Sequence, residues 1–251
     1  RQRGLINKMI ELIAAFQFLT IFPTVVRRPF TAKELGQSSA FYPIVGLALG
    51  GILIGVLNGM SFYFSQMVSA AIVLTLWVVL TRAIHFDGFL DACDGLFGGF
   101  NPEKRMLIMR DSRVGAFALL GGTVLLITMF STIISSNNMA GSLILAPVFG
   151  RWSLTFALVL FPYARGEGMG KDIKDNSSWK QLLFASLTTL IITWFIAQWL
   201  GIIIFGIVII LSSLWLRYVL RLLPGLTGDI YGATCILIEL MVLIIFSGNF
   251  V

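Results

Sequence analysis

The sequence is short of charge. Of its 251 residues only 12% are Asp, Glu, Lys or Arg, whereas 57% are hydrophobic. Ordinary soluble domains carry about 25% charged residues. Too little polar surface remains to cover a water-soluble fold of this size, and a chain this apolar is not disordered either. Cysteine is also scarce. Cys93 and Cys235 stand alone without CxxC spacing, so neither a disulfide framework nor a zinc site is indicated, and both read as small packing residues. Strand-like alternation, low-complexity linkers and internal repeats are missing. The first apolar stretch contains Glu11 and Gln17 and lacks a small-residue cleavage site, so it does not read as a cleavable signal peptide.

Long apolar runs are what the chain has in abundance. Mean hydropathy is +0.92, and seven segments, 41–64, 67–84, 115–136, 142–161, 182–200, 201–223 and 230–247, approach the roughly 20 residues that cross a bilayer. Residues 8–22 form a shorter amphipathic stretch closed by Pro23, which reads as an interfacial helix. The expectation is an all-α, polytopic integral membrane helical bundle, with residues 1–251 as one domain. It has about seven transmembrane helices plus the amphipathic one.

The loops separate by charge. Connections near 65–67, 137–141 and 200–201 carry none. The other side receives Arg1, Arg3, Lys8, Arg27, Arg28 and Lys33, then Lys104, Arg105, Arg110 and Arg113, then Arg165, Lys171, Lys174 and Lys180, and finally Arg217 and Arg221. By the positive-inside rule that side is cytoplasmic. The net charge of +6 therefore reports cytoplasmic loops and anionic lipid headgroups. Nucleic acid is not an expected partner, because no loop is long enough to build a separate basic face.

The acidic residues cluster. In the stretch His85 to Gly95, which follows the second segment, Asp87, Asp91 and Asp94 fall within an arc of about 60° of one helical face. Like charges this close repel unless a cation neutralises them. Oxygen ligands without thiolates favour Mg²⁺, Mn²⁺ or Ca²⁺ over zinc. Asp111, in Met109-Arg110-Asp111-Ser112-Arg113-Val114-Gly115, can complete the set, while Arg110 and Arg113 can hold phosphate oxygens. Tyr163 to Lys171 is a glycine-rich loop with two cations, Arg165 and Lys171, but without the Walker A pattern. Gly225-Leu226-Thr227-Gly228-Asp229 leads into the last segment on the same side. Arg151 and Glu239, the charges deep in spans, are placed to pair with each other. His85 reads as a hydrogen-bonding neighbour of the carboxylates rather than a metal ligand.

In this order, the blocks resemble the cobalamin synthase family, the adenosylcobinamide-GDP ribazoletransferases. His85 to Gly95 is similar to its aspartate signature and Met109 to Gly115 to its Arg-Asp-Ser-Arg-x-Gly motif. The Tyr163 to Gly170 loop and Gly225 to Asp229 match two further motifs, and Phe18-Leu19-Thr20 with Pro23 and Phe41 to Leu47 match the N-terminal region. Phe89-Leu90 stands where members often have Leu-Ala, a difference with no chemical consequence. The resemblance implies that a ribose hydroxyl of α-ribazole, or of its 5′-phosphate, attacks the cobinamide-linked phosphorus of adenosylcobinamide-GDP and GMP leaves. It implies Mg²⁺, or Mn²⁺, on Asp87, Asp91 and Asp111. Asp94 is then ligand or base, and Asp94, Asp111 and His85 are the catalytic candidates. Arg110, Arg113, Arg165, Lys171 and Asp229 would bind substrate. Membrane lipids are further expected partners, and a homo-oligomer is compatible with the sequence. Two other readings fit less well. A CDP-alcohol phosphotransferase would place Ala-Arg after Asp-Gly, which neither Asp87-Gly88 nor Asp94-Gly95 does. A cation-coupled transporter would carry its carboxylates near the bilayer midplane in repeated, broken helices.

Overall fold

In the computed structural model the helices are, in chain order, α1 (Gln2–Leu19), α2 (Ala32–Ser38), α3 (Tyr42–Ser61), α4 (Gln66–Leu80), α5 (Ile84–Gly98), α6 (Pro102–Ile108), α7 (Ala116–Ser135), α8 (Met139–Leu160), α9 (Met169–Asp175), α10 (Trp179–Leu220) and α11 (Gly228–Ser247). The structure describes residues 2–248, without the side chains of Gln2, Arg3 and Leu5. Arg1 and the Arg3 side chain, counted among the basic groups above, lie outside the described residues. Among those described there is no strand, only a lone bridge between Tyr163 and Leu226.

Most helices start at a residue that supplies an oxygen to the free amides of the first turn. Thr31 and Glu34 form a capping box before α2, as do Ser178 and Gln181 before α10. Ser65, Asn101, Asn138 and Thr227 cap α4, α6, α8 and α11.

Five helical stretches are long and apolar enough to cross a membrane: α3 with the turns before it, α7, α8, α10 and α11. The 42-residue α10 contains Gln198 at φ 47° and ψ −129°. Beyond that break Gly201 packs directly against the Thr193 backbone, a residue that a straight helix would hold about 12 Å away. The chain therefore folds back into halves 179–197 and 199–220, the expected fifth and sixth segments. No proline marks the reversal, yet it falls within two residues of the expected boundary between those segments at 200–201.

The second segment differs from expectation. It ends at Leu80 rather than 84, because Arg82 and Ala83 adopt left-handed backbone (φ 51° and 54°), and the chain leaves at 86° as α5. Each left-handed residue with a side chain costs about 1–2 kcal/mol. Arg82 offsets part of this by donating to the Gln17 and Phe18 carbonyls at 3.1 and 2.9 Å, where the C-terminus of α1 favours a cation.

Hydrogen bonds identify the two ends of the bundle. At one, Gln66 donates to the Ile134 carbonyl at 2.9 Å, and the Asn137 side chain to that of Gly248 at 3.0 Å. The connections gathered there, 62–65 and 136–138, are uncharged. At the other end Arg105 donates to the Leu222 carbonyl at 3.3 Å, and Ser177 to that of Gly36 at 3.1 Å. The basic loops and the aspartates meet here. α8 runs through the middle, buried on nearly every side against α3, α10 and α11. Its Arg151, wholly buried, pairs with Glu239 of α11.

Candidate active site

The 15 residues of α4 span about 22 Å, against about 30 Å for the 20 of α7. The early turn thus starts α5 about a turn and a half short of the length its neighbours reach. Gly88 lets α5 lie against the start of α11, since a Cβ there would meet the Asp229 carbonyl oxygen at 2.9 Å. The aspartates are set against α11 on one side and the 109–115 loop on another.

That loop closes a polar cleft of about 290 Å³ lined by Asp87, Asp91, Asp94, Arg110, Asp111 and Arg113. Two blocks separated along the chain therefore form one site. Their carboxylates are not equivalent. Both oxygens of Asp94 are engaged at the N-terminus of α7, accepting from the amides of Gly115 at 2.6 Å and Ala118 at 2.9 Å. α7 has no cap of its own because its N-cap is Gly115. A Cβ on Gly115 would lie 2.6 Å from an Asp94 oxygen, so only glycine leaves room for this cap from another helix. Asp111 is held by Arg113, whose guanidinium donates to it at 2.6 and 3.0 Å. That contact lowers the Asp111 carboxyl to about 2, which keeps it ionised at neutral pH.

Asp87 and Asp91 border the cleft one helical turn apart. Asp91 has no hydrogen-bonding partner among the described residues, and its charged neighbours are Asp87, Asp229, Asp94 and Arg165. No three His, Cys, Asp or Glu side chains among the described residues form a ready-made metal cage.

Arg110 also lines an adjoining cleft of about 310 Å³ with Arg165 and Gly166. Arg165 donates to Asp229 at 2.8 Å, and Thr227 donates to the same carboxylate at 3.1 Å. The Arg165 Nε is buried without a partner, a donor left for a ligand. Lys171 pairs instead with Asp175 one turn further along α9, at 2.6 Å, and lines none of these clefts. His85 does not line the aspartate cleft; it borders a second cavity of about 260 Å³, with Asp87, Asp229 and Tyr231, and a small one beside Glu239. Tyr231 carries no motif. Its ring, stacked on Tyr163 at 6.0 Å, places it at the site, and its position two residues after Asp229 is the signal in the sequence that points there.

Fold and cleft together define a class: a multi-pass helical membrane protein with carboxylates and guanidinium groups gathered at one end, as phosphate chemistry requires. Comparison with known proteins narrows the class. The profile of the cobalamin-5-phosphate synthase family matches residues 11–247. A Desulfitobacterium hafniense (strain Y51) protein described as adenosylcobinamide-GDP ribazoletransferase is 38% identical over 94% of this chain and 96% of its own. Proteins of the same description from Roseiflexus sp. (strain RS-1) and Clostridium acetobutylicum are 34% and 36% identical, covering 91% and 90% of this chain and 86% and 90% of theirs. No solved structure matches significantly. The chain belongs to the cobalamin-5-phosphate synthase family, and is accordingly a membrane-bound transferase of cobalamin synthesis.

Proposed function

We propose that this chain is an adenosylcobinamide-GDP ribazoletransferase acting at the cytoplasmic face of a prokaryotic inner membrane. A ribose hydroxyl of α-ribazole, or of its 5′-phosphate, bonds to the phosphorus attached to cobinamide. The phosphoanhydride bond breaks, GMP leaves, and the hydroxyl proton passes to a carboxylate or to bulk water. The observation that carries this reading is the convergence of Asp87, Asp91, Arg110 and Asp111 on one open cleft.

The roles follow from the surroundings of each group. Arg110 lies between the aspartate cleft and the Arg165 cleft, so its planar fork reaches the pyrophosphate from between them. Arg165, steered by Asp229, offers its free Nε to the same anion. Asp94 fixes the end of α7 and with it the loop that carries Arg110 and Asp111. Asp87 and Asp91 suit a hard divalent cation such as Mg²⁺ or Mn²⁺, which proteins commonly hold through one or two carboxylates, with substrate phosphates and water completing the shell. When bound there, such an ion supplies positive charge that neutralises the pyrophosphate and the departing GMP. The positive-inside rule supports a cytoplasmic location for this end, the compartment of nucleotide-activated substrates.

The test is turnover. The purified protein in lipid or detergent, given adenosylcobinamide-GDP, α-ribazole and Mg²⁺, should release GMP in step with formation of the lower-loop product. GMP release without α-ribazole, or none with it, refutes the assignment.

A further inference from the structure

The aspartate cleft suits an anionic substrate, but the second cavity, of about 260 Å³ on the neighbouring face of α5, has a different chemistry. Its walls are apolar and aromatic: Phe18 and Leu19 of α1, Tyr42 of α3, Leu154 and Leu158 of α8, and Tyr231 of α11. Its ionisable groups His85, Asp87 and Asp229 come from α5 and the start of α11, and among the described residues no lysine or arginine lines it. Three of the residues around it, Tyr42, His85 and Tyr231, have a buried side-chain polar atom (Tyr42 Oη, His85 Nε2 and Tyr231 Oη) without a partner among the described residues. Buried polar atoms in proteins are nearly always paired, so three orphans among the residues around one cavity point to a ligand that carries hydroxyl or ring-nitrogen groups. Asp87 borders both spaces.

We propose that this cavity is the acceptor subsite, taking a nucleoside with an apolar bicyclic base. The base lies among Tyr42, Leu154 and Leu158, and the ribose meets His85 and Tyr231. The attacking hydroxyl is presented at Asp87, facing the phosphorus held in the neighbouring cleft. The assignment rests on the ribazoletransferase reading. It accounts for the division of labour between the cavities: the arginine-lined clefts suit the pyrophosphate and are wrong for a hydrocarbon-rich heterocycle, whereas the second cavity lacks the cations a pyrophosphate needs. Its volume also admits a base and a ribose but excludes a corrin ring. The glycine-rich loop gains a role as well. Its Ala164 to Gly166 part lines an arginine cleft, while Met169 and Gly170 form the rim of the acceptor cavity.

Met169 stands exposed at that rim and so can carry a reporter. Met169→Cys, in a Cys93→Ala, Cys235→Ala background, is labelled with a maleimide in the presence of α-ribazole or of adenosylcobinamide-GDP. The expected result is at least fivefold slower labelling with α-ribazole and no change with the donor, while Asn101→Cys labels at the same rate throughout. In a second variant, Met169→Trp should raise KM for α-ribazole tenfold or more and leave KM for the donor within twofold. Protection by the donor alone, or by neither ligand while the wild-type protein still releases GMP, overturns the subsite and leaves the ribazoletransferase reading standing. A wild-type protein that turns over neither substrate overturns both.

Discussion

Asp94 and Asp91 lie one helical turn apart on the same helix face, yet the structure gives them different work, and a pair of asparagine substitutions separates the two. Asp94 accepts two backbone amides at 2.6 and 2.9 Å, each a hydrogen bond to a charged group worth about 1.5–3 kcal/mol. An asparagine in its place would keep one carbonyl oxygen and turn an NH₂ toward the other amide, losing one bond and leaving a donor unpaired. It would also remove a negative charge from the N-terminus of α7, worth about 0.3–1 kcal/mol. Asp94→Asn should therefore destabilise the protein by about 3 kcal/mol, and at roughly 2–4 °C per kcal/mol for a chain of this size Tm should fall by about 6–12 °C. Activity should fall with it, because Gly115 ends the loop that holds Arg110 and Asp111. The assay is thermal unfolding of the purified protein in one detergent at fixed pH, with and without substrate. A Tm within about 2 °C of wild type, less than the loss of 1 kcal/mol would produce, would refute the anchoring role and return Asp94 to the ligand-or-base alternatives.

Asp91→Asn should do the opposite: leave Tm unchanged or slightly raised, since it removes charge from a repulsive set, and lower turnover at least about 10²-fold, the scale of losing one strong electrostatic element. Excess EDTA should abolish GMP release and Mg²⁺ should restore it; full activity in chelator would exclude the cation assigned to Asp87 and Asp91. Arg110→Lys should raise KM for the GDP-bearing substrate with Tm unchanged, because an ammonium cannot reproduce the planar fork; unaltered kinetics would make Arg110 a membrane anchor. Glu239→Gln should cost about 3–5 kcal/mol by leaving Arg151 unpaired in the bundle, while Arg151→Met with Glu239→Leu should recover most of that loss; equal Tm values for the single and double variants would show that the pair is not coupled. A single cysteine at Asn101 should be labelled only by reagents with cytoplasmic access and one at Asn137 only from outside; labelling of both from one side would mean a miscounted span.

Hydrophobicity and charge were enough to place the segments, because a bilayer demands some 20 apolar residues per crossing and sorts the basic loops to one side. Those are local properties that survive in one dimension. The carboxylate face of α5 was legible for the same reason: the helical period alone puts Asp87, Asp91 and Asp94 together. The partners of these groups were not legible. Nothing in the spacing of Asp94 tells that its oxygens are taken by Gly115 and Ala118, on the next long helix, or that Arg113 holds Asp111 while Lys171 turns to Asp175. The break after Leu80 depends on two residues in left-handed backbone without a glycine to announce them, and it persists because surrounding contacts, the Arg82 clamp on α1 among them, hold it. The residue types and their helical faces were thus determined by the sequence itself. Which carboxylate is left free for chemistry, and which is consumed in holding the site together, was decided by tertiary packing, because each buried donor must find an acceptor wherever the fold brings one.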